Sequence, residues 1–133
     1  MATPPPDDAF RVLIVDREPG TADSECLLLA QLGFECRAAY AVRTAAEQVR
    51  SFRPHAVLLD IEMSSRGYQL GEELRRRSPL PRLFLVAVTE HADDRQQMLS
   101  LQAGFDSLLV KPVAPDLLCR LLQGMKDRLA RGG

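Results

Sequence analysis

Four short apolar runs constrain this chain more than any other feature. They lie at residues 11–15 (RVLIV), 56–59 (AVLL), 83–88 (LFLVAV) and 107–110 (SLLV). None alternates with polar residues, as a strand does when one face is wet. Unbroken runs of this length suit strands covered on both faces, as in a parallel sheet between helical layers. A fifth stretch, residues 34–39 (FECRAA), does alternate and reads as an edge strand with one wetter face.

Helical patterns separate the runs. Val42, Ala45, Ala46, Val49 and Phe52 fall on one stripe of a helix, as do Leu118, Leu121, Leu122, Met125 and Leu129 near the C-terminus. Leu70 and Leu74 mark a weaker stripe, and Arg75, Arg76 and Arg77 then favour the negative pole of that helix. Leu28 and Leu32 belong to a first helix that Gly33 stops. Residues 92–103 form the weakest helical pattern, with Met98 and Leu101 as its only inner-face markers. The order is βαβαβαβαβα, which implies parallel neighbours joined by crossovers. The expected fold is α/β: a doubly wound, five-stranded parallel sheet of order 2-1-3-4-5 with five helices.

A length of 133 residues suits one domain. Residues 1–9 (MATPPPDDA) read as a disordered lead-in, residues 10–130 as the domain and residues 131–133 as a tail. The lead-in lacks the basic and apolar regions of a secretory signal. With 17 basic and 18 acidic residues, the charge argues against nucleic acid or an anionic membrane as the main partner. No apolar run approaches the roughly 20 residues of a membrane span. Cys26, Cys36 and Cys119 have no CxxC spacing and read as buried or partly buried thiols of a reducing cytoplasm.

In such a sheet, sites lie outside the carboxyl ends of the strands. Asp16 follows the first strand, Asp60 the third, Thr89 the fourth and Lys111 the fifth, with Pro112 next. A carboxylate can attack phosphorus and form an acyl phosphate. Clustered carboxylates bind Mg²⁺, a hard ion that prefers oxygen. Lysine and threonine can hold transferring oxygens by charge and hydrogen bond. A lone strand-end Asp is usually a loop or cap residue and a lone Lys is usually solvated; chemistry at four separate strand ends is a much rarer coincidence.

The segments VLIVDREP, AVLLDIEM, VAVTEHADD and AGFDSLLVKPV resemble those of response regulator receiver domains, in that order and spacing. The last resembles the receivers of hybrid sensor kinases. The resemblance covers roughly residues 10–130 and implies a flavodoxin-like receiver fold. It implies a two-component signalling role in which Asp60 takes a phosphoryl group from a histidine kinase or phosphotransfer protein and alters binding to a downstream protein. Such a domain is a cytoplasmic phosphoacceptor and no enzyme beyond its own phosphorylation and dephosphorylation. By resemblance, Asp16, Asp60 and the backbone carbonyl of Glu62 hold Mg²⁺, Thr89 and Lys111 contact the phosphoryl group, and the Lys111–Pro112 bond is cis.

The chain departs from the family at several points. Receivers carry two adjacent acids after the first strand, but here Arg17 follows Asp16. Arginine stays charged and cannot ligate a cation. Arg17 can point to solvent with weaker Mg²⁺ binding, turn inward onto Asp60, or serve a partner surface. The inward case implies a pseudo-receiver, a phosphorylation-independent interaction module. The loop after Asp60 (IEMSSRGY) has Ser64 where proline is common and is one residue shorter than usual. Leu108 stands where receivers often have an aromatic switch residue. His55, His91, Tyr68, Phe84 and Phe105 read as solvated, capping or packing residues, Arg75–Arg77 as a solvated helix end, and Asp93 and Asp94 as favouring a helix N-terminus. The chain either works alone through contacts or is a piece of a longer protein.

Overall fold

The computed structural model describes residues 9–132; the proline-rich lead-in at residues 1–8 and the terminal Gly133 lie outside the described residues. The elements are β1 (Arg11–Val15), α1 (Pro19–Gln31), β2 (Glu35–Ala39), α2 (Val42–Ser51), β3 (Ala56–Asp60), α3 (Gly67–Arg77), β4 (Phe84–Thr89), α4 (Asp94–Gln102), β5 (Ser107–Val110) and α5 (Pro115–Ala130). All strand pairs are parallel, and the order is β2-β1-β3-β4-β5.

The unbroken apolar runs are explained by the two faces of the sheet. Val12, Ile14, Leu58 and Val86 join α1 and α5 through Ala22, Leu29, Leu118, Leu122 and Met125. Leu13, Val15, Val57, Leu59 and Leu85 point the other way and pack on Ala45 and Val49 of α2 and Leu70 and Leu74 of α3. Successive strand residues alternate faces, and here both faces are dry. β2 lies at the sheet edge and only Ala39 in it is buried, as its alternating sequence predicts.

Two expectations need correction. In α4, Met98 and Leu101 are exposed (61% and 75%), while Ser100 is buried. The orientation of this helix is set beyond its end. Gly104 takes φ +85°, Phe105 is buried among the α2–α3 layer, and the Phe105 N–H donates to the Ser100 carbonyl at 3.0 Å. That hook turns Ser100 and Ala103 inward. Ala9, expected in the lead-in, is buried next to β1.

Register brings the strand ends level. Val15 lies opposite Leu59, Asp60 opposite Val88, and Thr89 opposite Val110. Asp16 and Lys111 each come one residue after a strand, so four chemically active groups share one edge.

Candidate functional site

The Lys111 ammonium joins the two acids, 3.1 Å from Asp16 Oδ2 and 3.1 Å from Asp60 Oδ2. The other oxygen of each acid is held by a backbone amide. Asp16 Oδ1 accepts from the Glu18 N–H and Asp60 Oδ1 from the Glu62 N–H, both at 2.9 Å. These turns, in which an acid caps the amide two residues on, fix both carboxylates at the ends of β1 and β3. The two acids are buried, at 4% and 9% exposure, and a buried carboxylate needs this degree of satisfaction. Burial pulls the Lys111 ammonium down, but its hydrogen bonds to Asp16 and Asp60 and their charges outweigh that and raise its pKa.

Thr89 is buried, and its carbonyl accepts the Lys111 N–H at 2.8 Å. Its hydroxyl accepts the His91 N–H at 3.1 Å and donates to the Glu62 carboxylate. The Glu90 N–H donates to the same Glu62 oxygen. These two bonds, the Thr89 hydroxyl first, hold the Glu62 carboxyl below the usual carboxylate range. The Lys111–Pro112 peptide bond is cis.

An open cleft of about 440 Å³ lies over these groups, lined by Asp16, Arg17, Glu18, Asp60, Glu62, Glu90 and Lys111. Arg17 is exposed, and among the described residues it forms no ion pair. The inward Arg17–Asp60 pair is therefore not adopted: Lys111 holds that place on Asp60. Leu108 packs partly buried against the α2–α3 layer, where Tyr68 also lies.

Among the described residues, no group of three or more His, Cys, Asp or Glu side chains is arranged to hold a metal. The cleft offers two strand-end carboxylates, and its lining has five carboxylates against two cations. That donor chemistry fits a hard divalent ion that keeps much of its water, although Arg17 stands where a third strand-end acid would strengthen it.

Two further acids belong to this region and carry little signal in the sequence. Glu25 on α1 has its carboxyl raised by burial and by the charge of Asp16. The Glu62 side chain joins the site as well as its backbone. An acid two residues after Asp60 is the available signal, but its direction depends on β4. The reading of Arg75 as a solvated helix end is corrected. Its guanidinium donates to Gly104 O at 2.6 Å, Leu83 O at 3.0 Å and Asp106 Oδ2 at 3.2 Å, so Arg75 is a tether. The thiols of Cys26, Cys36 and Cys119 are partly buried, as expected.

The family description "Response regulator receiver domain" matches residues 12–123. The DNA-binding response regulator MtrA of Mycolicibacterium smegmatis is 32% identical over 122 residues, covering 91% of this chain and 51% of that protein. The phosphate regulon transcriptional regulatory protein PhoB of Escherichia coli is 26% identical over 123 residues, covering 92% of this chain and 54% of PhoB. The chain thus spans about half the length of these relatives. A CheY-like receiver domain protein from Methanospirillum hungatei superposes with a TM-score of 0.83 at 26% identity, covering 94% of this chain and 99% of that one. A matching family description over most of the chain, the 2-1-3-4-5 sheet and the shared fold lead to one assignment: the chain belongs to the response regulator receiver domains of two-component signalling systems.

Proposed function

We propose that the domain is a phosphoacceptor, with Asp60 as its nucleophile. The observation that carries this reading is the Lys111 ammonium held between the buried Asp16 and Asp60 carboxylates at a strand-end cleft. An Asp60 oxygen attacks phosphorus of a phosphohistidine on a histidine kinase or phosphotransfer protein. The P–O bond forms as the P–N bond breaks, and the imidazole keeps the electron pair and takes up a proton. Lys111 and Thr89 stabilise the transferring oxygens by charge and hydrogen bond. Asp16, Asp60 and the Glu62 carbonyl would hold Mg²⁺, which would supply charge neutralisation for the phosphoryl oxygens. The output is altered affinity for a downstream protein, in a cytoplasmic setting where such donors are found.

Incubation with Mg²⁺ and acetyl phosphate tests this. A phosphoryl mass gain is expected, labile to hydroxylamine and absent in Asp60→Asn. A wild type that stays unmodified under these conditions rules the reading out.

A second reading is favoured by Arg17 in the lining of the cleft and by the aliphatic Leu108. Here the domain is a pseudo-receiver that binds its partner without phosphorylation. In that case the wild type shows negligible Mg²⁺ affinity at millimolar concentration, and Arg17→Asp restores it. Tight Mg²⁺ binding by the wild type counts against it.

A further inference from the structure

The side chain of Glu62 has no part in the reaction described above, yet it reaches from the loop after β3 to the end of β4. Its backbone N–H caps Asp60 Oδ1, so the residue is anchored beside the acceptor. Its carboxylate lies in the same cleft as Asp60 and Lys111 and takes both the Thr89 hydroxyl and the Glu90 amide on a single oxygen. These are two donors, one on a buried side chain and one on backbone, directed at one anionic oxygen. A phosphoryl group on Asp60 would bring anionic oxygens into the same cleft and would need the same Thr89 hydroxyl.

We propose that Glu62 is an internal gate: its carboxylate occupies the Thr89 and Glu90 donors in place of a phosphoryl oxygen and has to leave them before Asp60 is modified. The proposal rests on Asp60 being the acceptor and specifies how access to it is regulated. The unmodified domain already holds the β4–α4 loop as an anion would, through Thr89 and Glu90. Phosphorylation exchanges one anion for another at these donors, and the released Glu62 carboxylate swings into solvent at the mouth of the cleft, next to any docked partner.

The test uses the full chain with Mg²⁺ and beryllium fluoride, a phosphoryl stand-in, followed by amide NMR. Glu62→Ala frees both donors and should bind beryllofluoride about tenfold more tightly or better, the scale of one charge-assisted hydrogen bond. Glu62→Gln keeps an oxygen that can accept from both donors without the charge, so its affinity should fall between those of Ala and wild type. The Glu90 amide proton should move upfield in Glu62→Ala and return downfield when the adduct forms. Equal affinity of Glu62→Ala and wild type overturns the gate while leaving Asp60 an acceptor. Glu62→Gln binding as tightly as Glu62→Ala also overturns it, because removal of charge repulsion alone would then explain the gain. If neither wild type nor Glu62→Ala forms an adduct, the acceptor reading itself falls and the gate with it.

Discussion

His55 takes its character from neighbours that are distant in the chain. In sequence it follows Pro54 in a turn and has no partner motif. In the fold, its Nδ1 accepts the Arg11 N–H at 2.9 Å and its ring stacks on Phe10 at 5.1 Å between centroids. An accepting nitrogen requires a neutral ring. Burial first, then the Arg11 charge, lowers its pKa from 6.5 to about 4. Between these values the unfolded chain binds the proton and the folded chain does not, so stability is lost as pH falls from about 6.5 toward 4. Urea denaturation at pH 7.5, 5.5 and 4.5 should show this decline in the wild type. His55→Gln, which keeps an acceptor and cannot titrate, should flatten it. An unchanged slope in that variant would sink the assignment.

At the scale of the element, the short loop after Asp60 depends on the start of α3. A Cβ at Gly67 would run into the Ile61 carbonyl oxygen, which is backbone and has no rotamer to yield. The helix therefore begins in contact with the loop, and only glycine permits that approach. Gly67→Ala should cost about 1–3 kcal/mol, as overpacking does. Gly124, exposed in α5 with open space where a methyl group would stand, is the contrast. Gly124→Ala should add about 0.5–1 kcal/mol by removing backbone freedom from the unfolded chain and improving helix propensity. Chemical denaturation of the two variants measures both changes, and equal effects would contradict the packing argument. The same loop carries Glu62, so Gly67→Ala should also disturb the Glu90 amide resonance. In α4, Met98 and Leu101 do not mark the inner face, and the buried Phe105 beyond its end decides the orientation.

Across the whole molecule, the two edges of the sheet divide their work. The carboxyl edge holds Asp16, Asp60, Thr89 and Lys111. The amino edge is tied by Asp106, just before β5. Its Oδ2 accepts the Leu85 N–H at 2.8 Å and pairs with Arg75 at 3.2 Å, and its Oδ1 meets Arg82 at 3.5 Å. Arg75 also reaches the Gly104 and Leu83 carbonyls, so α3, β4 and the α4–β5 turn meet at one carboxylate. Asp106→Ala should destabilise by about 2 kcal/mol, because it leaves a charged donor and a part-buried amide short of a partner. Because the substitution lies at the far edge, beryllofluoride affinity in the folded fraction should hold. A loss of affinity without a loss of stability would refute this division.

Strand type, element order and the four strand-end residues were legible in the sequence alone. Each is a local or periodic property: an unbroken apolar run reports burial on both faces, and the residue after it lies at the carboxyl edge of any parallel sheet. The departure at Arg17 was legible only against the resemblance to receiver domains, which implies an acid there. Tertiary structure alone decided where side chains point when their partners are distant in the chain. Lys111, not Arg17, sits on Asp60; Arg75 closes a network; Met98 and Leu101 face outward; and Glu62 reaches Thr89, 27 residues away. Such contacts depend on register and loop length between elements, which no periodicity within one element encodes.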